Sequence, residues 1–168
     1  MKKQSEEEAP EGQRPEPEEE QFAYYPLPDL LPPGHTLVLN ARLGLLSHLA
    51  KAPGEARQPR LLAQEQFSAS ELSVLRPLLA SYPDYCPYEL LYASFNGGGT
   101  TERAVERARL RLHEAQFAGT WDYEMRPIRN ILSRTRFKLR AFRLDVRSIL
   151  ETGYLLKPLS GHTTIDQA

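Results

Sequence analysis

At 168 residues, 40% hydrophobic and 26% charged, the chain has the size and composition of one globular domain with an ordinary core. No apolar run approaches the roughly 18 residues of a membrane span, and the opening "MKKQSEEEAPEGQRPEPEEE" lacks the apolar centre of a secretory signal. The net charge of −1 hides a division: residues 1–21 carry eight Glu against Lys2, Lys3 and Arg14, whereas residues 126–147 carry eight Arg and Lys against Asp145 alone. That distribution, unlike the net charge, fits a polyanionic partner.

Residues 1–21 are Glu- and Pro-rich, with too little apolar surface to offset ordering entropy, and read as a disordered acidic tail, either solvated or screening the basic segment. Residues 22–35, "FAYYPLPDLLPPGH", are punctuated by Pro26, Pro28, Pro32 and Pro33 and predict an extended arm packed on the domain. From 36 to 158 the chain reads as one folded domain. Strands are expected at Thr36–Leu39 and Leu43–Leu49 around a turn at Asn40–Arg42, with a third at Arg60–Ala63 after the loop "KAPGEARQP".

Ser68 stands three residues before Glu71, the spacing of a capping box, and Leu72, Leu75, Leu78 and Leu79 follow at helical intervals. Pro77 should bend that helix, and Tyr82-Pro83-Asp84 ends it. Pro87 opens a second helix, "PYELLYASFN", closed by Asn96 and three glycines. Residues 97–125 hold a third, capped by Thr100 or Thr101, striped by Ala104, Ala108 and Leu112, and stopped by Gly119. Its Arg103, Arg107 and Arg111 form an i, i+4 ridge that Glu102 and Glu106 partly offset.

A fourth helix is expected from near Met125-Arg126-Pro127 to about Phe142. "LDVRSIL" and "GYLLK" then predict a hairpin around Glu151-Thr152-Gly153, and residues 159–168 a flexible end. The fold class is therefore α+β: a small antiparallel N-terminal sheet, three to four helices and a C-terminal hairpin. In the fourth helix Ile128, Leu132, Thr135, Leu139 and Phe142 share one face, and Arg129, Asn130, Ser133, Arg134, Arg136, Phe137 and Arg140 the opposite one. Arg and Asn are the side chains that read guanine and adenine edges, and Ser and further Arg reach phosphates. A basic helix beside a hairpin matches a winged helix-turn-helix. Arg126, Lys138, Arg143 and Arg147 extend the positive field.

Three segments resemble the DNA-binding domain of OmpR/PhoB-type response regulators. "FSASELSVLRPLL" resembles its first helix through Phe67, Ser68 and Glu71; "RNILSRTRFKLRAF" resembles the recognition helix with its basic run and Leu139; "LDVRSILETGYLL" resembles the wing through Gly153 and Tyr154. The resemblance implies a bacterial, cytoplasmic, nucleoid-associated regulator of transcription whose recognition helix enters the major groove of double-stranded DNA. Carried over by position, Arg129, Ile131, Arg134 and Arg136 face DNA, with Ser133 near a phosphate. Homodimeric or tandem binding is also implied, as is contact with RNA polymerase through the 97–125 insertion. The chain departs from the pattern in Ile131, where a polar residue is usual, in Thr135, which replaces a core Leu, and in Leu150-Glu151, which replace an Arg-Gly pair. Ile131, the lost wing arginine and the inserted helix favour the alternative, a protein-interaction adaptor on the same scaffold without base readout. Residues 1–60 lack the acidic cluster and alternating elements of a receiver domain, so control by aspartate phosphorylation is not expected.

Catalytic chemistry is not indicated, and no cofactor or metal is called for. "NGGGTTER" lacks the Gly-Lys-Ser/Thr ending of a phosphate loop and reads as a turn and cap. His35, His48, His113 and His162 show no metal-ligand spacing. Cys86, the only cysteine, excludes an intramolecular disulfide and reads as a small core residue suited to a reducing compartment. Trp121, Tyr123 and Phe117 are expected to anchor the inserted helix.

Overall fold

The computed structural model describes residues 21–52, 54 and 58–160. The expected acidic tail, apart from Gln21, and residues 161–168 of the expected flexible end lie outside the described residues. Four antiparallel strands, β1 (Phe22–Tyr25), β2 (His35–Asn40), β3 (Leu45–Ala50) and β4 (Arg60–Gln66), form a sheet in the order β1-β2-β3-β4. Period-two alternation turns Leu37, Leu39 and Leu46 into the core and leaves Phe22 and Tyr24 outside.

This sheet has one strand more than the sequence predicts, because β1 lies inside the proline-rich arm. The prolines begin at Pro26, past the last paired residue of an edge strand, so they remove no ladder donor. The rest of the arm packs as expected, burying Leu27 and Leu31. Leu43 falls in the β2–β3 turn rather than in β3. The chain reverses at Gly44, whose φ is +67° and whose missing side chain admits the carbonyl of Phe67.

Helix α1 (Ala69–Ser81) opens on the predicted capping box: Ser68 Oγ accepts from Glu71 N at 3.2 Å, and Glu71 Oε2 accepts from Ser68 N at 2.9 Å. The helix continues through Pro77, which has no N–H to give the carbonyl of Ser73. Ser94 Oγ donates to that carbonyl instead, at 2.6 Å, from helix α2 (Tyr88–Phe95). The proline defect is thus repaired by the neighbouring helix and ties the two together.

A two-residue strand missed in the sequence, β5 (Cys86–Pro87), precedes α2 and pairs with the C-terminal hairpin. Gly153 makes that pairing possible, since a Cβ there would collide with the Cys86 carbonyl. Helix α3 (Glu102–Ala118) is capped by Thr101, whose hydroxyl accepts from Ala104 N, and ends at Gly119 with φ +72°. Helix α4 (Trp121–Leu139) starts four residues earlier than expected, because Gly119-Thr120 alone connects it to α3. Pro127 therefore lies inside α4, on the exposed side where water can serve the Tyr123 carbonyl.

A 3-10 turn at Arg140–Phe142 and left-handed Arg143 lead into the hairpin β6 (Leu144–Ile149) and β7 (Gly153–Pro158), giving a second sheet in the order β5-β7-β6. The fold is α+β. One core joins Leu37, Leu39 and Leu46 of the first sheet, Leu75, Leu78 and Leu79 of α1, Met125, Ile128, Leu132 and Leu139 of α4, and Leu144, Val146 and Leu156 of the hairpin. Helix α3 sits outside it, seated by Ala104 and Ala108 against Ala93 of α2 and by Leu112 in the core.

Two of the three expected aromatic anchors of α3 do not pack on the core. Phe117 is 83% and Tyr123 73% exposed; at about 100° per residue each points roughly opposite to the buried residue two positions away, Ala115 and Met125. Trp121 alone packs inward, edge-on to Tyr88 at 5.3 Å. Among the described residues no helix is long and apolar enough to cross a membrane.

Candidate nucleic-acid interface

Ile128, Leu132, Thr135 and Leu139 of α4, with Phe142 beyond it, are all buried. Thr135 costs little there because its hydroxyl donates to the Ile131 carbonyl at 2.9 Å. At about 100° per residue the opposite side presents Tyr123, Arg126, Asn130, Arg134 and Phe137 in one row, with Ser133 and Arg140 on its flank. All seven are exposed. Arg126 to Arg140 spans about 21 Å of helix rise.

The cations divide into two sets. Arg126, Arg134 and Arg140, with Arg143 after the 3-10 turn and Arg147 on β6, have no carboxylate within ion-pair distance among the described residues. Arg140 lies 5.7 Å over the ring of Phe137. Arg129 meets Asp122 at 2.5 Å on the exposed surface, a pair weak enough to be released by a ligand. Arg136 holds Asp145 at the root of the hairpin with Nε at 2.9 Å and a second contact at 3.4 Å.

Lys138 points away from the outer row. Its Nζ donates to Glu71 Oε2 and to the Gln66 carbonyl, each at 2.7 Å, and lies 5.4 Å from the Phe67 ring. It braces α4 against α1 and the sheet. Burial alone would raise the Glu71 carboxyl, but hydrogen bonds from Lys138 and Ser68 outweigh it and hold the group below its usual range. At Asp145 burial again pushes upward, while Arg136, the Val146 N–H and Lys157 pull the carboxyl below its usual range. Of the other residues carried over by resemblance, Ile131 is half-buried against the core, and Ser133 Oγ donates to the Arg129 carbonyl at 3.1 Å.

The hairpin tip carries no cation. Leu150 stands 87% exposed beside Glu151, whose φ is +58°. On α3 the expected basic ridge is partly neutralised. Arg111 meets Glu124 of α4 at 2.9 Å and Arg109 pairs with Glu106 and Glu89, while Arg103 and Arg107 remain unpaired among the described residues. Tyr92 also donates to Glu124, at 2.9 Å, so one carboxylate ties α2, α3 and α4.

The fold also joins residues that looked scattered. His35 Nδ1 and His48 Nε2 meet at 2.9 Å across β2 and β3, and burial followed by the neighbouring His35 lowers the His48 pKa. No group of three or more His, Cys, Asp or Glu converges as metal ligands do among the described residues. Cys86 is buried, with its thiol pushed up to about 12 by burial. No protein-family model, no curated protein and no solved structure matches the chain.

Proposed function

We propose that this chain is a non-enzymatic, sequence-specific DNA-binding regulator of transcription, a winged helix-turn-helix in which α4 enters the major groove and the β6–β7 hairpin lies along the adjoining backbone. The observation that carries the reading is the outer row of α4. Its Arg126 and Arg134, without a carboxylate partner among the described residues, flank Asn130, with Arg140, Arg143 and Arg147 continuing the positive surface toward the hairpin. An α-helix fits the roughly 12 Å major groove, Asn130 suits an adenine edge and Arg134 a guanine edge. The remaining arginines suit phosphates. Arg136 and Lys138 serve the fold first, and Arg129 joins the surface when it leaves Asp122.

The test is duplex binding against salt. With four to five phosphates neutralised, log K should fall against log salt with a slope of about −4. Arg134→Ala with Arg140→Ala should weaken binding about 10- to 100-fold at low salt and flatten the slope by about two, at unchanged thermal stability. Lys138→Met should do the reverse, lowering stability while sparing the slope. Binding without salt dependence, or none at low salt, refutes the reading.

The second reading, an adaptor that docks a protein such as RNA polymerase, is favoured by the apolar side chains that α3 and the first turns of α4 leave exposed, Leu110, Phe117 and Tyr123. Under it, Leu110→Ser with Phe117→Ser abolishes polymerase binding and leaves any DNA binding intact.

A further inference from the structure

The sheet register brings the start of the described chain to the same end of the fold as the basic helix. Phe22 pairs with Asn40, Asn40 with Leu45, and Leu45 with Gln66. The Gln66 carbonyl in turn accepts from Lys138 near the C-terminal end of α4. Three strand spacings of about 4.8 Å put the root of residues 1–20 about 14 Å from that contact. Twenty residues span at most about 66 Å. The whole 21 Å row of α4 therefore lies within easy range.

Residues 1–20 carry eight Glu against Lys2, Lys3 and Arg14. The α4 row and its continuation offer five cations with no carboxylate in reach among the described residues. We propose that the acidic segment 1–20 occupies the outer face of α4 in the absence of nucleic acid and is displaced by it, so that the chain carries its own competitor for the site. This rests on the reading of α4 as the DNA-contacting surface. Tethering places the glutamates at an effective concentration of about millimolar, which lets weak individual ion pairs compete. Because both contacts are ionic, salt releases the competitor as well as the DNA. Masking therefore lowers affinity most at low salt and makes the salt slope shallower.

The test uses the full chain and a full-length variant with Glu→Gln at positions 6, 7, 8, 11, 16, 18, 19 and 20. Binding is followed by anisotropy of a fluorescein-labelled duplex of mixed sequence. The variant should bind at least about tenfold more tightly near 50 mM salt, with a steeper slope, and the gap should close to within about twofold at high salt. In parallel, a nitroxide is attached at Gln13→Cys in the otherwise native chain, where Cys86 is buried and remains unlabelled. It should broaden the amide resonances of Asn130, Arg134 and Phe137 at low salt and release them at high salt. Equal affinities of the two proteins, or no broadening on α4, overturn the proposal while leaving the DNA reading standing. If neither protein binds duplex, the DNA reading fails, and the broadening pattern alone decides whether the segment sits on α4.

Discussion

Replacing Ser94 tests how the helical core is assembled. Pro77 deprives the Ser73 carbonyl of its helical donor, and Ser94 Oγ supplies one at 2.6 Å from a partly buried position. Ser94→Ala leaves that carbonyl without its partner, at a cost of about 1–2 kcal/mol, toward the lower part of the range for an orphaned buried acceptor because both serines are only half-buried. For a chain of this size that corresponds to a fall in Tm of roughly 3–6 °C. In a Pro77→Ala background the residue 77 N–H returns to the carbonyl, and Ser94→Ala should then cost less than about 0.5 kcal/mol. The coupling in the double-mutant cycle is therefore about 1 kcal/mol, read from urea unfolding of the four proteins at matched m-values. Pro77 is itself buried, so Pro77→Ala alone opens space and gains helix propensity, and its own sign is not the test. Additive effects of the two substitutions would refute the claim that Ser94 repairs the proline defect.

Acid should loosen the junction between α4 and its neighbours. The Glu71 and Asp145 carboxyls are both held below their ordinary values of about 4. The folded state therefore binds protons less readily than the unfolded chain, and the stability they contribute is present above about pH 4 and lost as the pH falls through the folded values. Asp145→Asn should flatten the acid limb of a stability-versus-pH curve measured by urea unfolding, and an unchanged limb would contradict the assignment. At the hairpin tip, Leu150→Arg places a cation where the chain has none. It should steepen the salt slope of duplex binding by about one and raise low-salt affinity about three- to tenfold. A variant with wild-type affinity and slope would place the tip off the DNA.

The order of elements and the buried face of α4 were legible in the sequence because each rests on local chemistry: the Ser68–Glu71 box, a threonine cap at 100 or 101, the Gly119 stop and the helical spacing of Ile128, Leu132, Thr135 and Leu139. The elements missed were those decided by partners distant in the chain. β1 is a strand only because β2 pairs with it, and β5 only because Gly153 lets β7 approach. The start of α4 was misplaced because Pro127 resembles a first-turn proline, and nothing local reveals that its missing N–H falls on a solvated side.

At the candidate interface, charge alone picked out all the arginines, yet it could not separate those that bind the fold from those left free. Lys138 and Arg136 are spoken for by Glu71 and Asp145, at sequence separations of 67 and 9. Arg126, Arg134 and Arg140 have no such partners among the described residues. The pairing of His35 with His48 was equally invisible, since strand register, and not spacing, brings them together.

The central claim is that the outer row of α4 reads DNA sequence. Selection of bound duplexes from a random pool by the full chain tests it most directly, with Asn130→Ala and Arg134→Ala carried through the same selection. The account predicts one enriched motif, in which Asn130→Ala relaxes a position held as adenine and Arg134→Ala one held as guanine, each at about 1–3 kcal/mol of discrimination. A pool that yields no motif, or the same motif from all three proteins, contradicts it.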